Sequence, residues 1–188
     1  MIKVGITGSL ASGKTTASKI LSQRRGPLFS ADKVVRELYK KRDFKNTLYK
    51  KFNLKNKNKI KINLKKKILE DSKNIRKLEK IIHPLVRNRM KSFTYKNKER
   101  KILFFEIPLL IESKLMKNFD VIIFIKARKR IRLKRFLSKN GNKKIFNLLD
   151  NKQLSEKKKI KYCDYVVVNE NNIKILKRKL LTIIKDYE

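Results

Sequence analysis

Short apolar runs alternate with stretches in which apolar residues recur every three or four positions. Continuous apolar runs bounded by polar residues are typical of strands buried in a sheet, and they occur at 3–7, 101–107, 121–125 and 165–168, with a shorter one at 27–30. Helical spacing follows most of these runs. This order predicts an α/β fold in which helices cover both faces of a mainly parallel sheet.

The longest helical pattern extends from Ile68 to Thr94, and Pro84 interrupts it. Either one helix is kinked at Pro84, or a first helix ends near Ile82 and a second begins with the proline in its first turn. Both alternatives place His83 at an interruption, with Arg87 one turn later. A single histidine is commonly structural, but interrupted helices often line binding sites. Both interpretations of His83 remain open at this point.

The segment between residues 42 and 67 carries weaker signals. Phe44, Leu48, Tyr49 and Phe52 fit a short amphipathic helix. The following stretch from Asn53 to Lys59 is low in complexity and predicts an exposed loop.

The sequence Gly8-Ser-Leu-Ala-Ser-Gly-Lys-Thr15 lies between the first predicted strand and the first predicted helix. It fits the phosphate-binding pattern G-x-x-x-x-G-K-[ST], in which glycines let backbone N–H groups turn toward phosphate oxygens. Lys14 would add a mobile positive charge, and Thr15 would offer a hydroxyl to Mg²⁺. The alternative, an ordinary turn with a surface lysine, makes this combination of residues a coincidence. The predicted contacts to ATP phosphates come from Gly8, Ser9, Leu10, Ala11, Ser12, Gly13, Lys14, Thr15 and Thr16.

Asp32 follows the short apolar run at 27–30 and opens a helical pattern. Ligands of open α/β sheets bind where strands end, so this carboxylate is a candidate general base or metal partner. The alternative is a helix N-cap, which is a frequent role of aspartate.

Length and composition limit the possible classes of protein. The chain has 188 residues, of which 40% are hydrophobic, and this suits one α/β domain with small insertions. No apolar run approaches the roughly 20 residues that span a bilayer, and no signal-peptide pattern opens the chain. Cys163 and His83 are single residues of their types, so neither an internal disulfide nor a Cys/His zinc site is expected. A cytoplasmic location is the default expectation.

The net charge of +37, from 53 Lys and Arg against 16 Asp and Glu, would ordinarily suggest a nucleic-acid partner. However, the lysines occur in every segment together with many Asn and Ile residues. Because these residue types share codons rich in A and T, compositional drift explains the charge better than a dedicated basic face. We therefore expect no specific nucleic-acid partner and no membrane partner, although a positive field assists the capture of anionic substrates.

Several segments together resemble the dephospho-CoA kinase family, and the resemblance covers essentially the whole chain. The phosphate-binding loop is shared by many kinases, whereas the H-P-L-V-R and P-L-L-x-E segments in this order are far more specific. The matching segments are 6–16, 31–32 with Arg36, 82–87, 107–112, and Gln153 followed by 163–169.

The chain departs from the family pattern at several positions. Ser9 and Ala11 stand where the family prefers glycine, and Ser30 replaces the first carboxylate of a D-A-D motif while Asp32 is kept. Lys139 and Leu149 stand where lid arginines are common. Lysine cannot bind two oxygens with a planar fork as arginine does, so these last changes affect the expected phosphate clamp.

The resemblance implies transfer of the ATP γ-phosphate to the ribose 3′-hydroxyl of dephospho-CoA, with Mg²⁺. It implies a P-loop kinase domain with core segments 1–40, 100–127 and 162–188, a helical acceptor-binding insertion at about 41–99 and a lid at about 128–161. The implied catalytic residues are Lys14, Asp32 and Arg135. The implied metal partners are Thr15 and Asp32, with Glu106 as an open alternative to Asp32. Dephospho-CoA would be held by Asp32, His83, Arg87, Leu109, Leu110 and Glu112.

Two other functions compete with this expectation. One is another small P-loop kinase acting on a nucleoside or nucleotide, against which the 82–87 and 107–112 segments argue. The other is a basic nucleic-acid-binding protein with a regulatory P-loop, against which the dispersed charge argues. A monomer or weak homo-oligomer is expected.

Overall fold

The computed structural model describes residues 1–56, 59–71 and 73–187. Within these ranges, no helix is both long and apolar enough to cross a membrane. In chain order the elements are β1 (Ile2–Gly8), α1 (Lys14–Ser22), β2 (Leu28–Ser30), α2 (Ala31–Leu38), α3 (Arg42–Lys51), α4 (Ile60–Glu70), α5 (Lys73–Lys96), β3 (Ile102–Glu106), β4 (Val121–Lys126), α6 (Lys129–Leu137), α7 (Lys143–Lys152), α8 (Glu156–Ile160), β5 (Tyr165–Val168) and α9 (Ile173–Lys185).

The contacts divide the chain into two compact units. The first consists of Met1–Ser30 with Lys96–Glu188, and the second is Ala31–Tyr95. The second unit corresponds to the helical insertion expected at about 41–99, but it begins ten residues earlier, directly after β2. The segment expected as a lid, 128–161, belongs to the first unit.

The five strands of the first unit form one parallel sheet in the order β2-β3-β1-β4-β5, which confirms the predicted fold class. On one face, Ala17 and Leu21 of α1 and Leu180 of α9 are buried in the same core cluster as β1, β3 and β4. On the other face, Leu110 and Phe119 approach β1 at Gly5. The continuous apolar runs of the sequence therefore match strands covered on both faces.

The second unit has its own core, formed by the cluster Leu38, Phe44, Leu48, Phe52, Leu54, Ile60 and Leu64. Leu54 is only 4% exposed, so the prediction of an exposed loop over Asn53–Lys59 is wrong at this residue. The chain returns to the core at Leu54 because burying a leucine is worth roughly 2 kcal/mol. Lys57 and Asn58 of the same prediction lie outside the described residues.

The long helical pattern contains one helix that continues through Pro84, but this helix begins later than expected. Ile68 belongs to α4, and the α4–α5 boundary contains Asp71, whose carboxylate accepts a hydrogen bond from the Lys73 backbone N–H at 2.8 Å. Helix α5 then continues through Pro84 to Lys96, so the alternative with two helices is wrong. A proline removes one backbone donor, and a helix of 24 residues retains its other hydrogen bonds.

Three residues of the turn between β1 and α1 have a positive φ. Gly8 has φ 150° and Gly13 has φ 99°, and a Cβ on Gly13 would lie 2.1 Å from the Asn169 Nδ2 atom. Glycine is therefore required at Gly13 by both backbone angle and space. Ala11 has φ 58°, a left-handed conformation that its Cβ disfavours.

We expect the substitution Ala11→Gly to stabilise the protein by about 0.5–1 kcal/mol, because glycine relieves the left-handed strain but loses more entropy on folding. Urea denaturation followed by circular dichroism measures this change. Ala17→Gly, inside α1, is the matched control and should destabilise the protein. A loss of stability in Ala11→Gly comparable to that of the control would contradict the argument.

The single cysteine provides a second test. Cys163 precedes β5 and donates a hydrogen bond to the Lys159 carbonyl at 3.3 Å. Burial, reinforced by the negative charge of Asp164, raises the pKa of the Cys163 thiol to about 12, although Lys159 opposes the shift. Since the thiolate is the reactive form, alkylation by iodoacetamide at pH 8 should be about 10³-fold slower than for an unperturbed thiol.

Mass spectrometry of native and urea-unfolded samples measures the two alkylation rates. The rate in the native protein should rise with pH toward the raised pKa, because deprotonation becomes favourable only there. Equal native and unfolded rates at pH 8 would show that the thiol is not protected.

Candidate active site

The phosphate-binding sequence forms the turn between β1 and α1, as its strand–loop–helix context predicted. Strand β1 lies between β3 and β4, so the chain order reverses direction across it. This is the switch point of an open parallel sheet, and ligands bind there at the carboxyl ends of the strands. Gly8 through Gly13 therefore line the edge at which an anion can reach the N-terminus of α1.

Lys14 begins α1, and its side chain folds back over the loop. The ammonium Nζ donates hydrogen bonds to the backbone carbonyls of Gly8 at 3.2 Å and Ser9 at 2.8 Å. The residue is 8% exposed, so these carbonyls compensate the loss of water around the charge. The loop thus carries a fixed positive charge beside its backbone N–H groups.

A buried carboxylate lies at the end of β3. Glu106 is 2% exposed, and its two oxygens accept hydrogen bonds from the hydroxyls of Thr15 at 2.5 Å and Ser30 at 2.9 Å. The parallel register pairs Ser30 with Glu106, which brings the ends of β2 and β3 together. Hard oxygen donors of this kind suit Mg²⁺, so Thr15 and Glu106 form a fitting pair of metal partners.

Ser30 occupies the position of a carboxylate in the family motif. A second carboxylate beside Glu106 would place two like charges at the same buried position, which raises the pKa of one of them. The serine hydroxyl instead donates a hydrogen bond to Glu106. The departure at this position therefore gives Glu106 a neutral donor.

Arg132 of α6 was not singled out by the sequence, yet it is buried behind the loop. Its guanidinium donates to the carbonyls of Ala127 at 3.1 Å and Leu10 at 3.3 Å, and it forms a 2.5 Å ion pair with Asp150 of α7. Glu156 of α8 lies 3.8 Å away. This one side chain joins the loop to three helices of the 128–161 segment.

Arg135, a predicted catalytic residue, lies one turn further along α6. Its Nη1 donates to the Ser12 carbonyl at 3.3 Å, and the Asn169 amide donates to the same oxygen at 2.8 Å. The structure therefore brings Arg135 to the phosphate-binding loop. Asn169, which follows β5, is an additional loop contact that the sequence did not assign a role.

Ser9, where the family prefers glycine, has a specific contact in this chain. Its buried hydroxyl donates to the Glu156 Oε1 atom of α8 at 2.9 Å. This hydrogen bond is a second connection between the loop and the 128–161 segment, beside that of Arg132. Glycine at position 9 would lack it.

The 107–112 segment has a structural role. Leu110 is fully buried beneath Gly5 and anchors the segment in the core, while its expected contact with dephospho-CoA stays a prediction. Glu112 accepts hydrogen bonds from Lys159 Nζ at 2.6 Å and from the Leu154 N–H at 3.2 Å. Leu109 is half-buried.

Lys159 is 0% exposed, and its ammonium also donates to the Gln153 side chain at 3.1 Å. A buried ammonium requires such partners because desolvation of the charge is costly. The Lys159–Glu112 pair therefore fixes the junction of α7 and α8 to the 107–112 segment. The sequence alone did not indicate this pair, because its members are 47 positions apart.

The remaining predicted residues belong to the helical unit. Asp32 is the second residue of α2, in its first turn, so it lies inside the helix rather than at the N-cap. A carboxylate in this turn is favoured by the helix dipole. His83 and Arg87 are one turn apart on one face of α5, and His83 is half-buried while Arg87 is exposed.

Comparisons of fold found solved structures with the same architecture. A crystal structure from Thermus thermophilus matches with a TM-score of 0.82 and 22% identity, covering 100% of this chain and 98% of the other. A dephospho-CoA kinase from Campylobacter jejuni matches with a TM-score of 0.68 and 24% identity, covering 98% of this chain and 96% of the other. A shikimate kinase from Bacteroides thetaiotaomicron matches with a TM-score of 0.59 and 15% identity, covering 98% of both chains.

Sequence comparisons are more specific. A dephospho-CoA kinase of Bartonella quintana is 32% identical over 188 residues, covering 97% of this chain and 96% of its own length. A dephospho-CoA kinase of Rickettsia conorii is 32% identical over 189 residues, covering 100% of this chain and 98% of its own length. The family model described as dephospho-CoA kinase matches residues 2–174. With its phosphate-binding loop and nearly full-length similarity, the chain belongs to the dephospho-CoA kinase family.

Proposed function

We propose a division of roles among the residues of this chain for the family reaction. As a member of this family, the chain is a kinase that transfers phosphate from ATP to the ribose 3′-hydroxyl of dephospho-CoA. Such a transfer depends on positioning and charge neutralisation, with little covalent chemistry for the protein. The observation that carries the proposal is the convergence of Lys14, Thr15 and Glu106 at one end of the sheet.

The donor half of the reaction is assigned to the loop. Backbone N–H groups from Gly8 to Thr16 bind ATP phosphates, and the ammonium of Lys14 leaves its carbonyl partners to contact the β- and γ-phosphates. Arg135, held at the Ser12 carbonyl, is close enough to the loop to neutralise charge on the transferring group. Fixed donors aimed at developing charge are the most effective kind of stabilisation in such sites.

Mg²⁺ fits the oxygen cluster at the end of β3. We assign Thr15 and Glu106 as its protein partners, because their side-chain oxygens are already in contact and Glu106 is nearly fully buried. When bound, the ion neutralises phosphate charge. The role of Asp32 as a metal partner stays a prediction, and Ser30 orients Glu106 from the opposite side.

The roles in the acceptor half follow from the family resemblance, residue by residue. Asp32, in the first turn of α2, accepts the proton of the attacking 3′-hydroxyl. His83 and Arg87, on one face of α5, bind dephospho-CoA, with Leu109 as an apolar contact. Glu112 acts through Lys159, whose ion pair positions the segment that carries Leu109.

We further propose that the enzyme works in the cytoplasm as a monomer or weak homo-oligomer. The single cysteine of the chain fits a reducing compartment. The evenly spread basic charge acts on the anionic substrates by long-range attraction, without a specific nucleic-acid partner.

The acceptor and the base are tested together in a coupled assay with ATP and dephospho-CoA. The product should carry phosphate at the ribose 3′ position, as determined by NMR, and Asp32→Asn should lower kcat by about 10² or more, the scale of a general base. Glu37→Gln, also on α2, is the control and should retain kcat. Phosphorylation of nucleosides in preference to dephospho-CoA would contradict the proposed substrate. If Asp32→Asn changes only thermal stability, Asp32 is not the general base.

The metal assignment is tested with Glu106→Gln. The amide oxygen still accepts one hydroxyl hydrogen bond, but the negative charge is lost, so the Mg²⁺ concentration for half-maximal velocity should rise about tenfold or more. Asp120→Asn removes one negative charge just before β4, at the opposite end of the sheet, and serves as the control. If both variants keep the wild-type Mg²⁺ dependence, Glu106 does not bind the metal.

A further inference from the structure

A cavity lies at the amino-terminal edge of the sheet, away from the phosphate-binding loop. Its volume is about 360 Å³, and its walls come from the turn after α1 and from the turn before β3. The residues that line it are Ser22, Arg24, Arg25, Gly26, Pro27, Asn97 and Arg100. All of them belong to the first unit. Helix α1 separates the cavity from the phosphate-binding loop by its nine residues, roughly 14 Å.

The two turns are held close together by Gly26. A Cβ at this position would lie 2.2 Å from the Ile102 carbonyl oxygen, so any side chain would force the turns apart. The backbone N–H groups of Arg25 and Gly26 both bond to the Ser22 carbonyl, and that of Arg100 bonds to the Asn97 carbonyl. The walls of the cavity are therefore built by ordered backbone, and they present the arginine side chains from two directions.

The basic residues that line the cavity are arginines, which is unusual for this lysine-rich chain. The sequence contains 40 lysines and 13 arginines, so a basic position chosen at random is lysine about three times in four. The cavity has three arginines and no lysine. Compositional drift explains scattered lysines, but it does not explain this local selection. Guanidinium groups are the cations that bind phosphate or carboxylate oxygens with two parallel hydrogen bonds.

Arg24 supplies an independent observation. It follows the end of α1 with φ 62°, a left-handed conformation in which glycine or asparagine is preferred. Holding a long side chain there costs about 1 kcal/mol, and such strain is typically retained at functional positions. The conformation directs the chain so that Arg24 and Arg25 both line the cavity.

We propose that this cavity binds a small anionic ligand carrying a phosphate or pyrophosphate group, at a site separate from the active site. Arg24, Arg25 and Arg100 contribute three guanidinium groups to its lining, and one N–H of Arg25 donates to the Gln23 carbonyl at 3.1 Å. The volume lies within the range of small-molecule sites. A concave site with arginines on opposite walls fits a compact ligand better than a nucleic-acid strand, which requires a groove that follows its backbone.

The test uses inorganic pyrophosphate and isothermal titration calorimetry on the full chain. Lys14→Ala is the background, because it weakens binding of pyrophosphate at the active-site loop. In this background, Arg24→Gln with Arg100→Gln should raise the Kd for pyrophosphate about tenfold or more, since two forked contacts are lost. Arg178→Gln with Lys179→Gln removes the same charge from exposed positions of α9 and should change the Kd less than twofold.

Two further variants distinguish forked binding of pyrophosphate from general attraction to positive charge and from loss of folding. Arg24→Lys with Arg100→Lys keeps the charge and the fold but should still weaken binding several-fold, because lysine cannot bind as a fork. With wild-type Lys14, the Arg24→Gln/Arg100→Gln variant should keep its kcat, which separates failure of this site from failure of the proposed function.

Equal losses in the cavity and α9 variants would overturn the proposal, because they would reveal general attraction to a basic surface. Unchanged affinity after the lysine substitutions would also overturn it. If an RNA oligonucleotide displaces pyrophosphate and the same substitutions weaken its binding, the ligand of the cavity is a nucleic acid and the proposal of a small ligand is wrong.

Discussion

The structure depends on keeping one buried carboxylate, Glu106, fully hydrogen-bonded. A charge that is almost completely removed from water is costly unless hydrogen bonds replace its hydration. Its partners are Thr15 on α1 and Ser30 on β2, so the ends of three elements must meet in register. The parallel sheet supplies this register through the pairing of β1 and β2 with β3. The same arrangement places a negative charge beside the phosphate-binding loop.

Acidic residues are scarce in this chain, and several of the 16 are placed where a buried cation needs a partner. Asp150 pairs with Arg132, and Glu112 pairs with Lys159. The Arg132–Asp150 pair joins α6 to α7 within the 128–161 segment, and the Lys159–Glu112 pair joins this segment to the 107–112 segment. Removing one member of a buried pair is strongly destabilising, typically by 3–5 kcal/mol. Compositional drift can therefore add lysines to the surface. It cannot replace Asp150 or Glu112 in the same way, because Arg132 or Lys159 would then be buried without its ion-pair partner.

Local patterns were sufficient to predict the strands and the position of the phosphate-binding loop, because hydrophobic periodicity is encoded within a few residues of each position. Contacts between distant residues were not predictable in this way. Arg132 bonds to Leu10 across 122 positions, and nothing in its neighbourhood distinguishes it from the other arginines of α6. Burial of Leu54 was also missed, because it depends on a core assembled from four helices.

The departures from the family pattern are connected through the loop. Ser9 gains a hydrogen bond to Glu156, and this carboxylate also lies 3.8 Å from Arg132. Lys139 and Leu149 lack the planar fork of arginine, yet two arginines of α6 already contact loop carbonyls. Ala11 keeps a left-handed conformation within the loop, and the contacts of Ser9 and Arg135 connect the loop on either side of it to the 128–161 segment. The 128–161 segment therefore supports the loop in this chain through the side chains of Arg132, Arg135 and Glu156.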